Sequence, residues 1–164
     1  MKLESLEAKC MDCGKKFLTP TLGDQSYGYG IFSGEKGSVF GCFQALDNPA
    51  WDFVETTIEK NKSSKRVIGD LVKNLLKSKK TRRQEMRNHG EKFWVACAYF
   101  ADPIKGQRLS HRDVCPRCYS SNVELGRKLN EVLEVYDVSH REFLSFPETV
   151  RKQKVLEFDR SYQS

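Results

Sequence analysis

The sequence predicts an α+β fold, a small antiparallel sheet with three to four helices in a single domain spanning 1–164. Three observations carry that expectation. Two aromatic, strand-like runs, 27–33 and 38–46, flank the glycine-bounded connection Gly34-Glu35-Lys36-Gly37, which is a hairpin signal. Runs with apolar residues at helical spacing follow. Two short cysteine pairs, Cys10-x2-Cys13 and Cys115-x2-Cys118, stand far enough apart to join the N-terminus to the last third of the chain.

At 164 residues the chain supports one core of ordinary size. With 30% charged residues, and no stretch approaching eighteen uninterrupted apolar residues, it lacks a membrane span. The acids in Met1-Lys2-Leu3-Glu4-Ser5-Leu6-Glu7 stand where an export signal would be apolar, so the expectation is a cytoplasmic protein. The formal charge of +6 is uneven: between Lys60 and Lys92, twelve basic residues face three acids, a net of +9 that leaves −3 on the rest. A mildly acidic body thus carries one basic helical arm, 60–92.

Taken in order, residues 1–9 read as a short polar lead into the first cysteine turn. Gly14 suits a turn, Lys15 to Leu18 leads away as a strand, and 19–24 is a loop. After the hairpin, Asn48 is placed to cap a helix with Pro49 in its first turn, and Trp51, Val54 and Ile58 share a face. That helix is expected to end near Lys60, with Asn61 to Ser64 as a break. A second helix carries the stripe Val67, Ile68, Leu71, Val72, Leu75 and Leu76, and 81–88 continues or restarts it until His89-Gly90. Phe93 to Ala101, apolar on both parities, reads as a strand covered on both faces. Residues 123–138 fit helix or strand equally. Phe143 to Pro147 makes a break, and Pro147 opens a last helix with Val155 and Phe158 on one face.

The cysteine pairs carry the clearest chemistry. Zinc takes four thiolates at the corners of a tetrahedron, and a C-x2-C turn offers two sulfurs to one ion. Cys10, Cys13, Cys115 and Cys118 are therefore the expected ligands of one Zn²⁺, closing a loop of 101 intervening residues. Residues 14–114 then form an inserted α+β body, and 123–164 a C-terminal segment. Cys42 and Cys97 lie inside apolar runs, where cysteine behaves as a small hydrophobe.

Cys10-Met11-Asp12-Cys13-Gly14-Lys15-Lys16-Phe17 and Cys115-Pro116-Arg117-Cys118-Tyr119-Ser120-Ser121-Asn122-Val123 resemble the two knuckles of the zinc-ribbon class. Two departures stand out: such knuckles are usually roughly 15 to 20 residues apart, and Tyr119 occupies the place where the second knuckle usually has glycine. The resemblance implies a structural zinc. Four cysteines leave it no open position, so it activates no water.

Two zinc-enzyme outlines are also present. His89-Gly90-Glu91 followed by Cys115-x2-Cys118 has the spacing of a zinc deaminase, with His89, Cys115 and Cys118 as ligands and Glu91 as proton shuttle, although Val114 rather than proline precedes Cys115. An HNH-type nuclease would draw on His89, His111 and His140, which bracket no ββα unit. His111-Arg112-Asp113 lacks the glycine-rich loop that would give it a kinase role. The function expected from the whole is non-catalytic binding. Lys65, Arg66, Lys73, Lys77, Lys79, Lys80, Arg82, Arg83 and Arg87 form a surface for nucleic acid, DNA or RNA, or for an acidic protein. The rival is a protein-binding module of inhibitor, adaptor or immunity type, using the aromatic hairpin at Tyr27 to Phe43.

Overall fold

A computed structural model describes residues 1–23, 27–65 and 79–162, with the side chains of 62–65 and 79–89 left out of the description. The elements run β1 (Lys2–Cys10), β2 (Lys16–Pro20), β3 (Tyr29–Gly34), β4 (Phe40–Gln44), α1 (Pro49–Lys65), α2 (Lys79–Phe100), β5 (Leu109–Ser110), β6 (Val123–Glu134), β7 (Tyr136–Asp137), α3 (Arg141–Ser145) and α4 (Glu148–Tyr162). The class is α+β, as expected, but with two small sheets instead of one.

The first sheet has the order β2-β1-β6, antiparallel throughout. The polar lead expected over 1–9 is therefore its central strand. Its buried positions are Ser5, Ala8 and Cys10, small side chains that give no β-branched signature, and pairing on both sides overrides their weak propensity. Against β6 its register shifts twice, and the Ser5 hydroxyl donates to the carbonyl of Glu131 at 2.9 Å. Residues 123–138, open between helix and strand in sequence, are β6 and β7 because β1 supplies a ladder from Cys10↔Val123 to Lys2↔Glu134.

The second sheet has the order β5-β3-β4-β7, with β7 parallel to β4. The expected hairpin forms β3 and β4, paired from Tyr29↔Gln44 to Ser33↔Phe40. Asn48 caps α1 through its Oδ1, which accepts from Ala50 N at 3.0 Å and Trp51 N at 3.3 Å. The helix passes Lys60 and the expected break, and the backbone is still helical at Lys65, the last described residue before 79. The helix expected over 65–80, with Arg66, Lys73 and Lys77, falls largely outside the described residues.

The strand expected over 93–101 is the C-terminal half of α2, and His89-Gly90 lies within that helix instead of ending it. Phe93 to Ala101 is apolar on both parities because this half-helix touches two cores. Phe93 and Ala96 join Ala50, Val54, Ile58, Phe143 and Val155, while Cys97 and Ala98 join Phe32, Phe43 and Leu109. A helix buried on both sides and a buried strand present the same apolar run. Val155 of α4 is fully buried, with Phe158 packed on the same cluster, as their shared face predicted.

Candidate metal centre

β1 delivers Cys10 at its last residue, and Cys10 pairs with Val123, the first residue of β6. The turn after β1 and the turn before β6 are thereby held at one end of one sheet, although Cys10 and Cys118 are far apart in sequence. Cys10 Sγ lies 3.5 Å from Cys118 Sγ, Cys13 Sγ lies 3.6 Å from Cys115 Sγ, and all four sulfurs fall within 4.8 Å of one another. A tetrahedron with metal–sulfur bonds of about 2.3 Å has edges of about 3.8 Å. The donor set and its spacing therefore fit a tetrahedrally bound metal ion. Cys10 and Cys115 are buried, Cys13 half-buried and Cys118 exposed.

The two turns share one backbone plan. Cys10 N donates to Lys15 O at 2.9 Å and Gly14 N to Cys10 O at 3.0 Å; Cys115 N donates to Ser120 O at 2.8 Å and Tyr119 N to Cys115 O at 2.9 Å. Gly14 has φ +71° and Tyr119 φ +60°. The tyrosine that breaks the glycine pattern thus adopts the glycine conformation, at a cost of roughly 1–2 kcal/mol for an L-residue.

These contacts also shape the thiols. Burial pushes the Cys115 thiol up, but backbone N–H groups of Cys118 and Arg117, with the thiols of Cys13 and Cys118, outweigh it and bring the group down to about 7. Cys118 accepts a backbone hydrogen bond from Ser120, which lowers it. The thiols of Cys13 and Cys10 beside it prevail and push it up to about 12. Four crowded thiols cannot all ionise without a cation among them.

Several positioning residues carried no motif in the sequence. Asp12 joins the turns: the Ser120 hydroxyl donates to its Oδ2 and Asn122 Nδ2 to its Oδ1 at 2.7 Å, and the first of these above all holds this carboxyl below the ordinary range. Met11 N donates to Asn122 O at 2.8 Å. The Thr19 hydroxyl donates to Asp113 Oδ1, tying β2 to the approach to the second turn. Gly37, at the tip of the β3–β4 hairpin with φ +64°, presses on that approach so closely that a Cβ would lie 2.1 Å from Val114 O. Only the glycine-bounded turn was visible beforehand.

Of the deaminase set, Cys115 and Cys118 lie in the sulfur cluster, and the side chain of His89 lies outside the described residues. Cys115 and Cys118 complete a set with Cys10 and Cys13, because the ends of β1 and β6 bring those turns together. Glu91 Oε1 instead accepts from Arg112 Nη2 at 2.9 Å and lies 3.1 Å from His111 Nε2; Arg112 first, then His111, keeps this carboxyl low and ionised. His140 is buried and its Nε2–H donates to the Cys97 carbonyl at 2.8 Å. Each of these two histidines has its own structural partner. Cys42 and Cys97 are buried away from the cluster, and burial first of all raises both thiols, Cys97 to about 12. Such thiols are unreactive.

The chain matches no family model, no curated protein and no solved structure. Among the described residues, no helix is long and apolar enough to cross a membrane. Of the basic arm, Lys65 lies in α1, and Lys79, Lys80, Arg82, Arg83 and Arg87 lie in α2, where the backbone is helical. A groove of about 570 Å³ opens between the hairpin, α1 and α2, with Trp51 and Trp94 below and Asp47, Asp52, Glu55 and Glu59 around it. The sequence showed these acids only as a diffuse negative balance.

Proposed function

We propose that this chain is a non-catalytic, zinc-stabilised binding protein of the cytoplasm whose basic arm contacts nucleic acid. The observation that carries the first half is the closed set of four sulfurs at Cys10, Cys13, Cys115 and Cys118, all within 4.8 Å. An all-cysteine set suits zinc, holds no water to activate, and ties the ends of the chain around the inserted body. The second half rests on charge: a net of +9 between Lys60 and Lys92, on a body otherwise of net −3, can neutralise several phosphates. In α2, Lys79, Arg83 and Arg87 stand at i, i+4 and i+8. The contact is backbone-directed and does not select sequence.

The test is a salt titration of binding to random-sequence DNA and RNA, with metal analysis of the same sample. One zinc per chain and an affinity that falls steeply with salt are expected. No binding at low salt overturns the nucleic-acid assignment, and a folded, metal-free protein overturns the zinc. A protein-binding module is the second reading, favoured by the acid-rimmed groove over Trp51 and Trp94, where Tyr27 is 85% exposed. Its partner would be basic, and Glu55→Lys would weaken it without affecting oligonucleotide binding.

A further inference from the structure

Three features set Tyr119 apart, in a turn whose hydrogen bonds fix the backbone whatever residue stands there. It stands in the left-handed backbone conformation that Gly14 takes in the twin turn, with φ +60°. Its side chain is 59% exposed, and Met11, on the facing turn, is 52% exposed. The neighbouring cations are also unengaged: Lys9, Lys15 and Arg117 are exposed and, among the described residues, form no ion pair. On the same sheet Lys16 pairs with Glu7 at 3.5 Å and Lys128 with Glu4. A residue kept in a costly conformation at an exposed tip points to a contact made there.

We infer that the paired cysteine turns form a second binding surface, on which Tyr119 stacks with a base of a single-stranded nucleic acid while Arg117, Lys15 and Lys9 take the flanking phosphates. Aromatic faces bind any base whose face is free, and cations track the backbone beside it. A duplex hides its base faces, so this surface discriminates strandedness, which the basic arm alone does not. An acidic peptide would satisfy the cations but give the ring no planar partner. The inference rests on nucleic acid being the partner, and it adds a site separate from the arm.

The experiment measures binding of the zinc-loaded full chain to a fluorescent random-sequence single-stranded oligonucleotide and to its duplex, at low salt. Wild type is compared with Tyr119→Gly, Tyr119→Asn and Tyr119→Phe. Glycine and asparagine suit the left-handed backbone, so both variants should stay folded and keep their zinc. Tyr119→Gly and Tyr119→Asn should each lose about ten-fold or more in single-strand affinity, with duplex affinity unchanged, and Tyr119→Phe should stay within about two-fold. If wild type binds single strands and Tyr119→Gly binds them equally well, the stacking site is overturned while the nucleic-acid reading stands. If wild type binds neither oligonucleotide, that reading falls first and this site with it. If poly-glutamate binds wild type as tightly as the oligonucleotide and depends equally on Tyr119, the surface belongs to an acidic protein and the inference is overturned.

Discussion

The Lys92 ammonium meets the Asp159 carboxylate between α2 and α4, with side chains only 6% and 3% exposed. Asn61 Nδ2 of α1 donates to the other carboxylate oxygen at 3.3 Å, so three helices converge on one buried acid. Removing one member of such a pair strands the other in a dry site. Asp159→Ala should therefore destabilise the protein by about 3–5 kcal/mol, whereas Lys92→Met with Asp159→Leu should be far milder than either single change. Urea unfolding of Asp159→Ala, of the double variant and of its two single changes decides this.

The sulfur cluster joins two cysteine pairs that the chain separates by 101 residues. Under the zinc assignment, Cys118→Ser should lose the ion and unfold the sheet that carries the turns, and a strong chelator should do the same to wild type. Because the ligands bind as thiolates, acid should release the metal as well. Metal content and far-ultraviolet circular dichroism, followed together against chelator and pH, check all three outcomes.

Gly37 touches the second turn from the hairpin. Alanine there would place its Cβ 2.1 Å from Val114 O and 2.9 Å from Pro116 N, on a backbone with φ +64°. Neither obstacle is a flexible side chain. Gly37→Ala should cost about 2 kcal/mol or more, and should weaken metal retention as the Cys115 turn shifts. Thermal unfolding with and without chelator separates the two effects.

His140 sets an acid limit on stability. Burial holds its imidazole below the ordinary 6.5, and this outweighs the opposing pull of the Cys97 carbonyl and of Asp102. The unfolded chain takes up the proton first, so the folded state gains full benefit above about pH 6.5 and loses it as pH falls from there through the lowered folded value. Stability measured from pH 7 to pH 5 should decline, and His140→Gln should flatten that decline.

Legibility in the sequence followed range. The hairpin, the Asn48 cap and the last helix were visible because turn glycines, a capping side chain and helical spacing act over a few residues. Phe93 to Ala101 misled because two cores claim the same half-helix, and β1 because Ser5 and Ala8 are small where the sheet is crowded. Tyr119 broke the expected glycine pattern without breaking the geometry, since the hydrogen bonds around Cys115 impose it.

By itself the sequence determined the α+β class, the four sulfur donors and the uneven charge, because composition and a two-residue cysteine spacing are local properties. Only the tertiary structure decided that the donors meet. Antiparallel pairing of β1 with β6 sets Cys10 opposite Val123, and pairing over so long a separation leaves no mark on either strand. It also turned a diffuse acidic balance into a groove over Trp51 and Trp94, because packing of α1 and α2 against the hairpin, and not their spacing in the chain, brings those side chains together.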